Sequence, residues 1–248
     1  MADSSEAMRL DLALVARGLM ESRALAQAAI KAGGVTVDGV VVSKPSMKIT
    51  PDQKLGAERP YPHVSRGGLK LAHGLEVFKV SASGRICLDI GASTGGFTDV
   101  LLRGGAKMVY AVDVGRDQLH ASLRNDPRVV SLEAMDARRL DSRIIPQVPD
   151  LLVCDASFIM LEKVLGVPLA LVEQGEAVVL FKPQFQVGPE NVGRGGVVTD
   201  GAAVKRARAA FEDWLADEGW SVAASCDSPV RGGDGNREYL LHLTRQSG

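Results

Sequence analysis

The sequence predicts an α/β protein with a doubly wound, mainly parallel sheet, preceded by a small α+β domain. Three observations support this prediction. From residue 86 onward, apolar runs of strand type alternate with stretches of helical periodicity, as they do in parallel sheets. A glycine-rich turn at residues 91–96 follows the first of these runs. The first 50 residues instead contain two short helical patterns and an Asp-Gly hairpin signal.

The composition describes a chain that can bury a sizeable core and is almost neutral. It has 248 residues, 46% of them hydrophobic, and a formal net charge of -1. A chain of this length can form one large domain or two unequal ones. The near-neutral charge excludes a global basic field of the kind that coats nucleic acid, so any nucleic-acid contact has to come from a local patch.

Three widely spaced cysteines and the lack of apolar segments predict a cytoplasmic protein. The cysteines form no C-x-x-C pair, which suits a reducing compartment. The chain begins with an acidic segment and no signal-like apolar core, so we expect no secretion. We also expect no membrane span, because the most apolar stretch, residues 164–172, is far shorter than the roughly 20 residues that cross a bilayer.

The N-terminal elements follow one another closely. Residues 1–8 are small and polar and are expected to form a loose tail. Leucines at helical spacing predict a first helix over residues 10–19, and Ser22 is a candidate N-cap for a second helix over residues 22–31. Residues 35–42, with Asp-Gly at their centre, predict a hairpin, and a basic segment then leads to a short strand.

A proline pair around Tyr61 predicts a stiff linker at residues 59–63, between one domain at residues 1–58 and another at residues 64–248. The second domain is expected to open with a helix that begins at Ser65 or Gly68 and ends near Phe78. Strands are then predicted at residues 86–90, 107–113, 129–133, 150–155 and 176–182, and helices at residues 97–102, 119–125, 161–173 and 202–218. Two final strands at residues 220–226 and 237–243 give the sheet an antiparallel end.

The glycine-rich turn fits one of three ligand motifs best. A phosphate-binding P-loop ends in Gly-Lys-Ser/Thr, whereas Phe97 follows Gly96 here. The dinucleotide fingerprint G-x-G-x-x-G is matched only in part. With Asp89 two residues before Gly91, the stretch resembles the S-adenosylmethionine (SAM) site of class I methyltransferases, which have a Rossmann-like, doubly wound sheet.

This resemblance implies a complete cofactor site. The turn would enclose the amino-acid end of SAM, Asp113 would accept hydrogen bonds from the ribose hydroxyls, and Asp136 would accept one from the adenine amino group. Strand-end carboxylates also cap helices, but here acids stand at three successive strand ends. The implied cofactor-binding residues are Asp89, Gly91, Ala92, Ser93, Thr94, Gly95, Gly96, Phe97, Asp113 and Asp136.

Four polar residues at the ends of separate elements, Lys70, Asp155, Lys182 and Glu238, resemble the Lys-Asp-Lys-Glu tetrad of the FtsJ-like 2'-O-ribose RNA methyltransferases. Taken singly, each is explained equally well as a surface charge. Lys182 is the least ordinary, since it ends an apolar strand just before a proline. Other methyltransferase motifs do not fit: residues 155–158 lack the Pro-Pro of amino-methylating enzymes, and Cys154 lies inside a strand, where we expect it to be part of the core.

The reaction explains why such groups would be assembled. A ribose 2'-hydroxyl must lose its proton as it attacks the methyl group of a sulfonium. A lysine in water has a pKa of about 10.4 and is protonated, but burial and a second ammonium such as Lys70 favour the neutral amine. Lys182 is therefore the candidate base, oriented by Asp155 and Lys70, and Glu238 balances the charge. No metal is required, and the four histidines show no ligand spacing.

The N-terminal elements resemble the S4 family of RNA-binding modules, on Arg9-Leu-Asp, Ser22-Arg23 and residues 34–39. In that family the second helix and the hairpin dock on structured RNA. Each cation taken singly is explained equally well as solvated surface charge. The candidate RNA-binding residues are Arg9, Arg17, Arg23, Lys31, Lys44 and Lys48, together with Arg66 in the second domain.

A chain in which an S4-like module precedes a domain with this tetrad resembles the TlyA family of bacterial ribosomal RNA 2'-O-methyltransferases, also called hemolysins. Its most specific parts are residues 64–70, 89–99 and 181–185. Membership implies SAM-dependent methylation of cytidine in ribosomal RNA of the large subunit, and in some members of the small subunit, with ribosomal RNA or a ribosomal subunit as partner.

Two features and two alternatives qualify this assignment. The tryptophan usual in the family's linker is absent at residues 59–62, and the short N-terminus favours the large-subunit type. A non-catalytic RNA-binding assembly factor stays open as an alternative. So does a membrane-lytic protein, although the sequence offers neither an apolar helix nor a strongly amphipathic basic one.

Overall fold

The computed structural model describes residues 7–245, which form two compact units. One unit extends to Pro62 and the other starts at His63, within the stretch where the proline pair predicts a linker. Among the described residues, no helix is both long and apolar enough to cross a bilayer.

The first unit is a small α+β fold with its own core. Its elements are β1 (Met8–Arg9), α1 (Leu10–Ala16), α2 (Arg23–Lys31), β2 (Val35–Val37), β3 (Val40–Val41), β4 (Lys48–Ile49) and β5 (Leu55–Ala57). Strand β2 is the centre of an antiparallel sheet with β3 and β5, while β1 pairs with β4. Leu10, Leu14, Ile30 and Val35 are fully buried in one apolar cluster.

The second helix and the hairpin agree with their sequence signals. The Ser22 hydroxyl caps α2 by accepting a hydrogen bond from the Leu25 N–H at 3.2 Å. The hairpin turns at Asp38 and Gly39, whose φ angles of 51° and 82° are both positive, as a type I′ turn requires.

Two short strands of this unit were not predicted. Strand β5 has glycine at its centre, because a Cβ at Gly56 would lie 2.5 Å from the Thr36 hydroxyl oxygen, and an interior glycine hides the strand pattern. Strand β1 includes Met8, so the expectation of a loose tail over residues 1–8 is wrong at its end. Residues 1–6 of that tail lie outside the described residues.

The second unit is a seven-stranded α/β fold. Its elements are α3 (Gly67–Phe78), β6 (Ile86–Ile90), α4 (Gly96–Arg103), β7 (Met108–Val112), α5 (Ala121–Arg124), β8 (Val129–Leu132), β9 (Leu151–Cys154), α6 (Leu161–Ala170), β10 (Glu176–Phe181), α7 (Gly201–Asp217), β11 (Trp220–Asp227) and β12 (Tyr239–Arg245). The strand order is β11-β12-β10-β9-β6-β7-β8.

The predicted mixed sheet is confirmed. Strands β6 to β10 are mutually parallel, and β12 is inserted antiparallel between β10 and β11. Alternate residues of β6 enter different cores: Cys87 packs with Leu71 and Leu101, whereas Leu88 packs with Leu165 and Phe211. Both faces of the sheet are therefore covered by helices, which explains why its strands are apolar throughout.

Candidate active site

The carboxyl ends of β6 and β9 lie side by side where the strand order reverses. In doubly wound sheets this reversal opens the crevice that binds ligands. The Asp155 N–H donates to the Ile90 carbonyl at 2.9 Å, which holds the two ends together. Two cavities of about 510 Å³ and about 290 Å³ open here and share Gly91, Ser93, Asp155 and Ser157 among their lining residues.

Glycine is required at two points of the turn for different reasons. Gly91 has a φ of +80°, and a Cβ on it would lie 3.1 Å from the Ala156 backbone. Gly95 has a φ of +94°, and its Cβ would lie 2.2 Å from the Leu123 side chain. The first glycine therefore lets β6 approach β9 at the crevice, whereas the second lets the turn pack on α5.

The other residues of the predicted turn divide between the cavities and the core. The smaller cavity is lined by turn residues Gly91, Ala92, Ser93, Thr94, Gly96 and Phe97. Asp89 and Gly95 line neither cavity. These two residues support the turn from behind.

Asp89 is fully buried beneath the turn. Its Oδ2 accepts a hydrogen bond from the Thr98 hydroxyl at 2.6 Å, while Oδ1 is buried without a hydrogen-bond partner among residues 7–245. Burial raises the pKa of Asp89 to about 7, and the hydrogen bond from Thr98 opposes this shift.

Asp113 and Asp136 both line the larger cavity, at the ends of β7 and β8. Asp113 accepts the backbone N–H groups of Ser93 and Gly115 at 2.8 and 2.7 Å. Asp136 accepts the Arg138 N–H at 3.0 Å and pairs with the Arg138 guanidinium at 2.6 Å. This hydrogen-bonded pairing lowers the pKa of Asp136 to about 2.

The four tetrad residues form two ion pairs. Lys182 Nζ lies 2.6 Å from Asp155 Oδ1 and donates to the Ser157 hydroxyl at 2.7 Å. Lys70 Nζ lies 2.5 Å from Glu238 Oε2. Lys70, Lys182 and Glu238 are 7%, 6% and 3% exposed. Without these partners, their buried charges would be energetically unfavourable. Glu238, which is expected to balance the charge of the site, is thus the partner of Lys70, and Asp155, which is expected to orient Lys182, is the partner of that lysine.

The position of Lys70 depends on glycines at the starts of α3 and α4. A Cβ on Gly68 would lie 2.5 Å from the His63 side chain, and a Cβ on Gly96 would lie 2.9 Å from the Gly68 nitrogen. The first turn of α3 can therefore lie directly on the start of α4. Lys70 follows within that turn and is directed into the smaller cavity.

Lys182 and Glu238 are brought together by the register of β10 and β12. Phe181 of β10 pairs with Tyr239 of the antiparallel β12. Lys182, which follows Phe181, and Glu238, which precedes Tyr239, therefore lie opposite each other at the same edge of the sheet. A Cβ on Gly232 would lie 2.6 Å from Glu238 Oε1, so that glycine leaves the room the carboxylate needs.

Ser157 and Phe158, which both line the larger cavity, are not among the residues predicted from the sequence. Phe158 is 90% exposed, has a φ of +64°, and its ring centroid lies 5.0 Å from that of Phe185. A left-handed backbone is rare for an aromatic residue and marks functional sites. The available signal was the stretch Asp155-Ala-Ser-Phe158, which was used only to exclude another motif.

Three of the candidate RNA-binding arginines of the first unit have partners within that unit. Arg9 and Arg23 both donate to the buried Asp11 at 2.9 Å, and Gln27 donates to it at 2.7 Å. The hydrogen bond from Arg9, followed by burial acting in the opposite direction, leaves the pKa of Asp11 well below its usual value. Arg17 donates to three backbone carbonyls, those of Thr50, Pro51 and Gln53.

The candidate lysines are more accessible. Lys31, Lys44 and Lys48 are exposed, and Lys48 Nζ donates to the Ala7 carbonyl at 3.3 Å. Arg66, in the second unit, is exposed and lines the smaller cavity beside Lys70.

Metal and thiol chemistry find no support in the part of the chain that the structure describes. Residues 7–245 contain no group of three or more His, Cys, Asp or Glu side chains arranged to hold a metal ion. Cys154 is buried, and burial raises the pKa of its thiol to about 12. A thiol in that state is not a nucleophile.

Comparison with known proteins identifies both units. A family model described as FtsJ-like methyltransferase matches residues 63–245, and one described as S4 domain matches residues 8–55. The 16S/23S rRNA (cytidine-2'-O)-methyltransferase TlyA of Mycobacterium tuberculosis (strain ATCC 25618 / H37Rv) is 45% identical over 244 residues, which are 96% of this chain and 90% of the relative.

Two solved structures are also similar. A protein from Streptococcus thermophilus described as a candidate hemolysin is 37% identical, with a TM-score of 0.75 over 99% of this chain and 90% of that chain. Magnesium protoporphyrin IX methyltransferase from Synechocystis PCC 6803, solved with bound SAH, has a TM-score of 0.51 and 14% identity over 73% of this chain and 82% of that chain. The second similarity shows a shared fold alone.

Proposed function

The chain belongs to the TlyA family of FtsJ-like methyltransferases that carry an S4 domain, and from this premise we propose that it methylates the 2'-hydroxyl of a cytidine in ribosomal RNA, with SAM as methyl donor. One observation supports the chemistry above all others. Asp155 and Ser157 line both cavities, and the buried Lys182 contacts both of these residues. One cavity is suited to the donor and the other to the acceptor.

The residues of the larger cavity fit the adenosine part of SAM. After accepting two backbone N–H groups, the Asp113 carboxylate keeps lone pairs for ribose hydroxyls. Asp136 offers an acceptor for an amino group, and Met135 and Ile159 supply apolar walls for a flat ring. The amino-acid end would lie along the glycine-rich turn. SAM supplies an electrophilic methyl group on a sulfonium.

The tetrad would prepare the hydroxyl for attack. Lys182 takes the proton that the 2'-hydroxyl loses as its oxygen attacks the methyl group. Asp155 and Ser157 fix the direction of its Nζ. The Lys70–Glu238 pair presents an ammonium to the smaller cavity, where it can hold the ribose oxygen.

We infer that the substrate is ribosomal RNA of the large subunit, as free RNA or in a ribosomal subunit, and that the enzyme acts in the cytoplasm. Small-subunit RNA is a second candidate, because the mycobacterial relative is named for both 16S and 23S rRNA. In this assignment the S4 domain holds the RNA, with Lys31, Lys44 and Lys48 among its contacts, and Arg66 contacts it at the mouth of the cavity.

Lys182→Ala tests the chemistry. The incorporation of labelled methyl from SAM into ribosomal RNA should fall about 10²- to 10⁴-fold, the usual contribution of a general base. The affinity for SAM, measured by calorimetry, should stay within about twofold of wild type. The exposed Lys107→Ala serves as a matched lysine control and should behave like wild type in both measurements.

The same assay separates the alternative functions. A non-catalytic assembly factor would bind ribosomal RNA without wild-type methyl incorporation. A lytic protein would release dye from lipid vesicles equally well as wild type and as Lys182→Ala. Mapping 2'-O-methyl groups on both ribosomal RNAs, in cells with and without the protein, identifies the subunit.

A further inference from the structure

A second pair of cavities lies beside the tetrad. One, of about 200 Å³, is lined by Glu238 together with Arg231 and Arg237. The other, of about 380 Å³, is lined by Pro183, which directly follows Lys182, and again by Arg231 and Arg237. Because the two cavities share both arginines, they form one groove, here called the Arg231 groove, that starts at the tetrad.

The walls of the Arg231 groove carry more positive than negative charge. Its acids are already neutralised: Glu238 pairs with Lys70 at 2.5 Å and Asp227 with Arg237 at 2.9 Å. Lys205, on α7, lines the wider cavity and makes no hydrogen bond or ion pair among residues 7–245. Arg231 uses one N–H, which donates to the Gly235 carbonyl at 3.0 Å. Lys205 and Arg231 are therefore left without a compensating acid on these walls.

Hydrogen bonds of a buried side chain connect the loops of the groove, and part of its lining is apolar. Asn236 is buried, donates to the Gly196 carbonyl at 2.7 Å and accepts from the Val198 N–H at 2.9 Å, which ties the two loops of the groove together. Tyr239, Val197 and Val204 line the wider cavity together with the cations. Cations combined with apolar and aromatic residues in one groove are typical of sites that bind single-stranded nucleic acid.

The geometry points to the Arg231 groove as the binding site for the RNA strand that flanks the methylated ribose, with Lys205 and Arg231 contacting its phosphates. This inference rests on the proposed function, since it takes RNA as the substrate. It adds to Arg66 a second RNA contact on the catalytic unit, beside Glu238 and Pro183, which neither the S4 resemblance nor the candidate basic residues include. Phosphate contacts of this kind position a strand without reading its sequence, so the groove would set where the ribose lies relative to Lys182.

The test is the double variant Lys205→Ala/Arg231→Ala in the full chain. Its affinity for purified bacterial large-subunit ribosomal RNA is measured by filter binding over a series of salt concentrations. The slope of log affinity against log salt should fall by about 1.4, since each phosphate contact on a single strand contributes about 0.7. The KM for RNA should rise roughly tenfold near 0.15 M salt, with SAM affinity unchanged.

Matched variants keep the result interpretable. Lys107→Ala/Arg143→Ala removes one lysine and one arginine that line no described cavity and should leave the salt slope at the wild-type value. Lys205→Arg/Arg231→Lys keeps both charges and should keep the slope, even if packing changes. An unchanged slope in the alanine double variant, or a loss of affinity without a change of slope, overturns the proposal. RNA binding is read without methylation, so a wild-type chain that binds RNA but transfers no methyl contradicts the proposed function and not the groove.

Discussion

At the scale of single residues, Ser157 contacts Lys182, the proposed base, although 25 positions separate the two in the sequence. Its hydroxyl lies 2.7 Å from Lys182 Nζ, on the side where the two cavities meet. A hydroxyl can accept from an ammonium and can also donate to a neutral amine. Ser157 can therefore hold Lys182 in one orientation in both protonation states.

Ser157→Ala should lower kcat by about 10- to 100-fold, because a hydrogen bond to a charged group contributes about 1.5–3 kcal/mol. The KM for RNA should stay near the wild-type value, since the side chain acts on the base and not on the RNA phosphates. Steady-state methylation kinetics measure both quantities. Ser157→Thr keeps the hydroxyl and should retain most of the activity; a kcat of Ser157→Ala equal to that of wild type would show that Asp155 alone orients the lysine.

Asp89 gives a prediction for the dependence of stability on pH. Burial raises its pKa to about 7 in the folded chain from 3.8 in the unfolded one. Between these values the folded state holds a proton that the unfolded state has released, so this carboxyl makes the protein less stable as the pH rises from 4 to 7. Asp89→Asn removes that dependence and can still accept the Thr98 hydroxyl.

The free energy of unfolding of Asp89→Asn, measured relative to wild type by denaturant titration at several pH values, should therefore increase across this window, by up to roughly 4 kcal/mol. The comparison with wild type cancels the opposite contributions of paired acids such as Asp136. A constant difference between the two proteins from pH 4 to 7 would contradict the assignment of a raised pKa to Asp89.

At the scale of elements, the active site depends on how closely α3 lies on α4. The contact is made by backbone, because Gly96 faces the Gly68 nitrogen and the Ser65 hydroxyl. Lys70 is two residues beyond Gly68, so a displacement of the start of α3 moves the ammonium and its partner Glu238.

Gly96→Ala should cost about 1–3 kcal/mol of stability, the usual cost of overpacking. A Cβ would lie 2.2 Å from Ser65 Oγ and 2.9 Å from the Gly68 nitrogen, and only the first of these atoms can rotate away. Methylation should decrease as well, because Lys70 is displaced. Thermal unfolding and methyl incorporation measure the two effects.

Gly201→Ala is the matched control. Gly201 is the first residue of α7, and a Cβ there meets no atom within 4 Å. This variant should keep its activity and be as stable as wild type or slightly more stable, because alanine loses less backbone entropy than glycine in a helix. A Gly96→Ala protein as stable and active as Gly201→Ala would show that α3 can move without consequence.

At the scale of the whole molecule, we expect the first unit to bind RNA, and the second unit to bind the methyl donor together with the part of the RNA that is methylated. Lys31→Glu should weaken the binding of ribosomal RNA and lower its salt slope by about 1 to 2, because a phosphate contact is lost and a repulsive charge is added. SAM affinity should not change. Filter binding and calorimetry measure the two.

Arg23→Glu is not an equivalent test, although both residues were predicted from the same pattern. Arg23 pairs with the buried Asp11 at 2.9 Å, so a carboxylate there would face another carboxylate and destabilise the unit. The exposed Lys31 avoids this effect. Unchanged RNA affinity and salt slope in Lys31→Glu would show that this residue lies outside the RNA-binding face.

The sequence by itself determined the order of most elements, the mixed sheet and the S4 and methyltransferase resemblance, and it indicated four candidate residues for the tetrad. These depend on signals within a few residues of one another: apolar periodicity, helix caps, glycine-rich turns and short motifs. The boundaries of α5 and the existence of β5, which has a central glycine, could not be predicted in this way, because the local pattern is weak there.

Only the tertiary structure decided which charges are paired with which. Lys70 meets Glu238 across 168 residues, and Lys182 meets Ser157 across 25. These meetings depend on strand order, on the antiparallel insertion of β12 and on its register with β10, and no local pattern contains that information. The same holds for Arg9 and Arg23, which the sequence presents as candidate RNA contacts and the structure pairs with Asp11. A buried carboxylate needs such cationic partners, and the fold decides which cations lie near it.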